Sequence, residues 1–244
     1  MANLTRFGRV GAARHEGHGL IGAGRRGWLT RCQLQYRPTT DAFALPIRDD
    51  VPVDPVYRPG VIPEPPELSD GQVLLRSWTY CDLPCIEEAS RDPVIPTGTT
   101  VPSPFSEQAG LAFLERQWQR SASGEGLSLA ITEAGTDTAV GLVCLLHRQQ
   151  PGVVGVGFWT VESRRRRGFA RKGVSLLSRW ALGLPAVARV EALVEPDNDG
   201  SIRVLEGAGF RREGLLQAYL DFHPVRADAL LYSLIGEDVE SSPR

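Results

Sequence analysis

Residues 163–173 read SRRRRGFARKG, with four arginines directly ahead of Gly168, Phe169 and Ala170. The arginines are fixed cations, a glycine lets the backbone approach an anion closely, and a small residue at 170 keeps the next turn narrow. A strand ending before the run and a helix opening within it would add unpaired N–H groups and the helix dipole, which is the recipe for a diphosphate site. The spacing is Arg165-x-x-Gly168-x-Ala170 and lacks the Gly-Lys-Ser/Thr of a Walker loop. The same run taken alone reads as a solvated basic patch, a localisation signal or an RNA-binding cluster. Against those readings, Phe169 is its only aromatic and the chain carries a formal net charge of −2, whereas a general nucleic-acid binder carries a broad basic surplus. No nucleic-acid partner is expected.

Other reactive types are sparse. Glu191 and Glu195 share one face of a candidate strand, and Asn198-x-x-Ser201 follows it. Cys32, Cys81, Cys85 and Cys144 match no zinc spacing, and none of the four histidines flanks a cysteine pair. Free thiols and no metal are expected. Gly22-x-Gly24-x-x-Gly27 has dinucleotide-loop spacing, but no strand precedes it and no acid follows at the required distance. No apolar run approaches the roughly 20 residues of a membrane span, and the N-terminus lacks the apolar core of a secretory signal. The expectation is a cytoplasmic protein without a membrane partner.

The elements that must position these residues begin near residue 67. Residues 1–66 are rich in glycine, proline and unbalanced charge with no sustained period, so a disordered or loosely ordered arm is expected there. Residues 237–244 read as an acidic tail. Between them the patterns predict a strand at QVLLRSW, a short helix at CDLPCIEEAS and an amphipathic helix capped by Ser106, with Ala109, Ala112, Phe113 and Trp118 on its apolar side. Three strands follow, LSLAITEA, AVGLVCLLHR and VVGVGFWTV, the first two joined by a turn at Gly135-Thr136-Asp137. A helix then starts at the arginine run, with Ala170, Val174, Leu177 and Ala181 on one face. The strand VARVEALVE, a short helix capped by Asn198 or Asp199 and ended by Gly209, and two last strands complete the chain. The order β-α-α-β-β-β-α-β-α-β-β is a mixed α/β fold.

Arg165-x-x-Gly168-x-Ala170 after a strand resembles the coenzyme A diphosphate loop of the GNAT superfamily of N-acetyltransferases. ALVEPDNDGSIRVLEGAGF resembles the Asn-x-x-Ser…Gly-Phe segment of the ribosomal-protein N-terminal (RimJ/RimL-type) branch, and QVLLRSWTYCDL its opening strand and helix. The resemblance spans residues 67–236 and implies a central twisted mixed sheet flanked by helices, binding acetyl-CoA between its fourth and fifth strands. It implies that Arg165, Arg166, Arg167, Gly168, Phe169 and Ala170 cradle the diphosphate, with Arg164 the arginine most simply solvated. Backbone groups near Trp159, Thr160 and Val161 would pair with the pantetheine and polarise the acetyl carbonyl.

The implied reaction is direct attack of a neutral primary amine, from a small molecule or a protein N-terminus, with no covalent enzyme intermediate and no metal. Many members protonate the leaving thiolate with a tyrosine where this chain has Leu205; the branch implies Ser201 instead, with Asn198 touching coenzyme or substrate. A plain helix cap (Asn198) and a first-turn residue (Ser201) are the structural alternatives. Glu191 or Glu195 would take the amine proton, directly or through water, unless each is only a solvated acid or a partner of Arg189. Tyr219 and His223 are further candidates. An α-amine with a pKa near 8 needs little help. Asp82, Glu87 and Glu88 would attract a cationic acceptor, or form the wet face of a helix. A homodimer stays open. So does a catalytically silent coenzyme-binding sensor or scaffold.

Overall fold

The structure, a computed structural model, describes residues 62–221 and 225–236. The expected arm up to residue 61, with the Gly22-x-Gly24-x-x-Gly27 spacing and Cys32, lies outside the described residues, as do His223 and the tail from 237. The described elements are β1 (Leu68–Ser69), β2 (Val73–Arg76), α1 (Leu83–Ser90), α2 (Ile95–Gly98), α3 (Glu107–Ala122), β3 (Gly126–Glu133), β4 (Thr138–His147), β5 (Val153–Thr160), α4 (Phe169–Leu182), β6 (Arg189–Val194), α5 (Asp199–Gly207), β7 (Arg211–Asp221) and β8 (Arg226–Ile235). The mixed α/β order expected from sequence is present, with β1 and the single turn α2 added. Each addition follows a side-chain cap. Asp70 Oδ1 accepts the Gln72 and Val73 N–H groups at 3.0 and 2.8 Å and folds β1 back on β2. Asp92 Oδ1 accepts those of Val94 and Ile95 at 2.8 and 2.9 Å and opens α2.

Eight strands form one sheet in the order β1-β2-β3-β4-β5-β6-β8-β7. Every neighbouring pair is antiparallel except β5 and β6. The period-2 alternation of the strands divides the apolar residues between two faces. One face packs on α4 and α5, with Ile131, Val143, Val156 and Phe158 against Phe169, Val174, Leu177 and Leu205. The other packs on α1 and α3, with Ala130, Leu142, Cys144 and Trp159 against Leu83, Ile86, Phe113 and Leu114. Val190, Ala192 and Val194 of β6 join the α4 side, as the alternation predicted, and Leu193 packs separately with Leu220 and Ala229.

Three local expectations change. Ile62, expected within the arm, is buried in the α4-side core. The buried face of α3 is Gly110, Phe113, Leu114 and Gln117, rotated from the expected one; Gln117 goes inside because its amide donates to Phe113 O and accepts from Ser128 Oγ and Arg120. Cys85 and Cys144 are buried free thiols, but Cys81 takes part in a disulfide, contrary to the expectation of free cysteines throughout. Burial pushes the Cys144 thiol up to about 11. Ser106 caps α3 through its hydroxyl, as expected, accepting the Ala109 N–H at 3.1 Å.

Candidate active site

The site begins where two parallel strands part. β5 and β6 pair only at Val153–Arg189, Val154–Val190 and Gly155–Glu191; β5 then runs on to Thr160 and β6 to Val194 without pairing each other. Backbone groups in a strand alternate direction. The Val153 carbonyl faces β4, accepting the Arg148 N–H at 3.1 Å, and the Val161 N–H faces β4 too, donating to Val140 O at 2.9 Å. By parity, Val156, Phe158 and Thr160 turn their backbone polar groups toward the gap, whereas Trp159 and Val161 turn theirs toward β4. Of the three residues expected from sequence to offer backbone contacts, the geometry therefore favours Thr160. Trp159 and Val161 are buried in the α1/α3 core instead.

Beyond Thr160 the chain makes a short 3-10 turn at Glu162–Arg164 and enters α4 through the arginine run. Gly168 is the N-cap, at φ 85°, and Arg166 also has positive φ, 62°. The first helical bond runs from the Lys172 N–H to Gly168 O at 3.0 Å. Among the described residues, no backbone N–H from Arg166 to Arg171 has a backbone acceptor, so a fan of donors opens at the positive end of the α4 dipole. Gln72 steadies the loop, its amide donating to Arg167 O at 3.3 Å, and Lys172 pairs with Asp70 at 2.6 Å. Phe169 is buried and roots the loop in the core, and Ala170 is half-buried.

The four arginines differ. Arg164 donates to Glu133 Oε2 at 3.2 Å. Arg165 bonds Asp92 Oδ2 and donates from Nε to Thr160 O at 3.1 Å. Arg166 and Arg167 are exposed and form no ion pair among the described residues. Sequence reasoning treated Arg165, Arg166 and Arg167 alike and gave Asp92 no role; the only signal for Asp92 was its cap-forming type ahead of Val94 and Ile95.

The residues present fit a coenzyme A diphosphate and pantetheine arm. The loop offers free N–H donors and unpaired guanidiniums, and the buried Thr160 Oγ1 beside it has no hydrogen-bond partner. Among the described residues, no group of three or more His, Cys, Asp or Glu is placed to hold a metal, and no helix is long and apolar enough to cross a membrane.

On the far side of the gap, Asn198 is buried and caps α5, its Oδ1 accepting the Ser201 N–H at 3.1 Å. Ser201 is buried on the first turn, and Leu205 one turn later is fully buried in the core. Glu191 and Glu195 separate in character. Glu191 accepts from Arg189 at 2.8 Å, and Arg189 also binds Glu213. Glu195, just past β6, pairs with no cation among the described residues; burial and the nearby Asp197 raise its carboxyl above the ordinary range. Tyr219 is exposed on β7. Asp82 is committed to Arg76, at 2.8 Å, while Glu88 accepts the Ser163 N–H at 3.0 Å. Glu87 pairs with Arg91 along α1.

Comparison with known proteins bears on the fold and the family. Residues 72–211 match the family model described as an acetyltransferase (GNAT) domain. The chain is 26% identical over 175 residues, 70% of its length and 90% of the relative's, to a Bacillus licheniformis protein named "Uncharacterized N-acetyltransferase p20". It superposes with a TM-score of 0.57 and 20% identity on Mycobacterium smegmatis RimJ in complex with CoA-disulfide, covering 70% of this chain and 85% of that one. The ribosomal-protein-S5-alanine acetyltransferase of Vibrio fischeri gives 0.60 and 18%, covering 71% and 98%. The chain belongs to the GNAT family of acetyltransferases.

Proposed function

We propose that the protein acetylates the α-amine of a protein N-terminus by direct attack on acetyl-CoA bound between β5 and β6. The observation that carries this is the parting of β5 from β6 after Gly155–Glu191, leading into an N–H-rich loop whose Arg166 and Arg167 have no ion-pair partner among the described residues. The choice of acceptor is supported by the fold shared with RimJ and with a ribosomal-protein-S5-alanine acetyltransferase. Bound acetyl-CoA supplies an activated acyl carbon and a thiolate leaving group. The chain's residues do the rest. The backbone edge at Val156, Phe158 and Thr160 aligns the pantetheine and offers an N–H to developing oxyanion charge. Glu195, whose carboxyl burial and the nearby Asp197 make a stronger base than an ordinary carboxylate, takes the amine proton directly or through water. Ser201, on the turn of α5 that the Asn198 cap fixes, gives its hydroxyl proton to the leaving sulfur and regains one from water, while Glu195 releases the amine proton to solvent.

A coenzyme-binding scaffold without turnover is the second reading, favoured by the buried Leu205 where many relatives place a tyrosine. Incubating the full chain with acetyl-CoA and peptides bearing free or blocked α-amines separates the two. Acetylation confined to free α-amines supports the proposal. Acetylation of lysine or polyamine nitrogens alone would move the acceptor to a small amine, and coenzyme binding without any product would leave the scaffold.

A further inference from the structure

Resting on the acetyl-CoA site proposed above, the geometry points to a division of labour within the arginine run. Arg165 is a strut rather than a diphosphate ligand, and Asp92 is the positioning residue that lets the helices α1 and α2 hold the coenzyme loop.

Arg165 is held at both ends of its guanidinium. One side of its guanidinium meets Asp92 Oδ2, and Nε binds the Thr160 carbonyl on the edge that faces the gap. Asp92 is buried, and its other oxygen is equally committed, to the N–H groups of Val94 and Ile95. Swinging Arg165 onto a phosphate would strand a buried carboxylate and release the Thr160 carbonyl, and an unpaired buried charge is among the costliest arrangements a protein can hold. A second tie runs parallel to the first, from the Ser163 N–H to Glu88 Oε1 on α1. The connection between β5 and α4 is thus clamped from the α1/α2 layer at two points, Arg165 and Ser163, three and five residues from Gly168. Arg166 and Arg167, together with Arg171 on the first turn of α4, are exposed and unpaired among the described residues, so they supply the charge that meets the diphosphate. Asp92 therefore tunes coenzyme affinity without touching the coenzyme.

The test is calorimetric titration of coenzyme A into the full chain, comparing the native protein with Asp92→Asn, Arg165→Gln, their combination, and Arg167→Gln. Asparagine keeps the oxygen that caps Val94 and Ile95 but cannot pair with Arg165. A strut predicts that Asp92→Asn weakens binding about tenfold by letting the loop drift. Arg165→Gln does the same, and the double variant loses no more than either single. The salt dependence of the dissociation constant stays native in all three, whereas Arg167→Gln flattens it, because a charge facing the ligand has gone. If Arg165 is instead a phosphate ligand parked on Asp92, Asp92→Asn frees it and coenzyme A binds more tightly. Unchanged or tighter binding in Asp92→Asn overturns the proposal. Should that variant fail to fold, Arg165→Gln decides alone: a flattened salt dependence refutes the strut and a native one supports it. A native chain that takes up no coenzyme A overturns the site itself, an outcome distinct from the others.

Discussion

Gly168 sits at φ 85° with nothing within 4 Å of where a Cβ would stand, so Gly168→Ala meets no steric obstacle. Its whole cost is conformational, about 1–2 kcal/mol for an L-residue held in the left-handed region. Gly152, at φ 76° in the turn at the opposite end of β5, is a matched control, since a Cβ there makes only ordinary contact with Ala188 at 3.6 Å. Gly152→Ala should lower the melting temperature by about 2–4 °C per kcal/mol and leave coenzyme affinity untouched. Gly168 stands within the fan of free N–H groups, between the exposed Arg167 and the buried Phe169, so an alanine that relieves its strain by leaving the left-handed region turns those donors off the ligand. Its strain is then felt on binding, when the backbone must return to left-handed geometry to aim its N–H groups. At 1.4 kcal/mol per factor of ten, that is about a five- to thirtyfold loss of acetyl-CoA affinity with little change in melting temperature. Calorimetric titration alongside thermal unfolding of the two variants reads both quantities. Equal coenzyme affinities in the two variants would refute the claim that the ligand lies on this turn.

Glu195→Gln should cost about a hundredfold or more in kcat. Because the base acts only when ionised and its carboxyl is raised by burial and Asp197, native activity should rise with pH through a value above the ordinary carboxylate range. A pH–rate profile of Glu195→Gln should lose that limb, and Glu191→Gln should keep it. Ser201→Ala should lower kcat while leaving the acetyl-CoA dissociation constant within about twofold, since its contact is with the departing sulfur. Glu213 is held at about 2, from 4.5, by hydrogen bonds from Arg189 and Ser233. A depressed carboxyl adds stability that is complete above 4.5 and disappears as pH falls toward 2. Glu213→Gln should therefore destabilise by less than about 1 kcal/mol at neutral pH, exposed as the pair is, and by nothing near pH 2; acid unfolding curves followed by circular dichroism would show a constant offset if this is wrong.

The arginine run was legible because every ingredient of an anion loop lies within eight residues. So were the strand faces of β6 and the Ser106 and Asn198 caps, which depend on neighbours two to four positions away. The parting of β5 from β6 was legible only through family resemblance, because where two strands stop pairing is set by the helices packed on both faces. Which arginine faces solvent was misread: Arg164, expected to be the solvated one, pairs with Glu133, and Arg166 and Arg167 are the exposed ones. Asp92, 73 residues earlier in the chain, takes Arg165 out of the ligand set, and nothing local to either residue announces the pair. Gln117 shows the same limit from another side. A polar residue reads as surface until three hydrogen bonds on α3 and β3 make its burial tolerable.

The most direct test of the account is to follow free thiol release from acetyl-CoA and the mass of the acceptor peptide in the same reaction. The account predicts one thiol for each acetylated α-amine, in a reaction slowed about a hundredfold or more by Glu195→Gln and strongly weakened by loss of Arg166 and Arg167 together. Thiol release without an acetylated amine, or coenzyme binding with neither product, would contradict it.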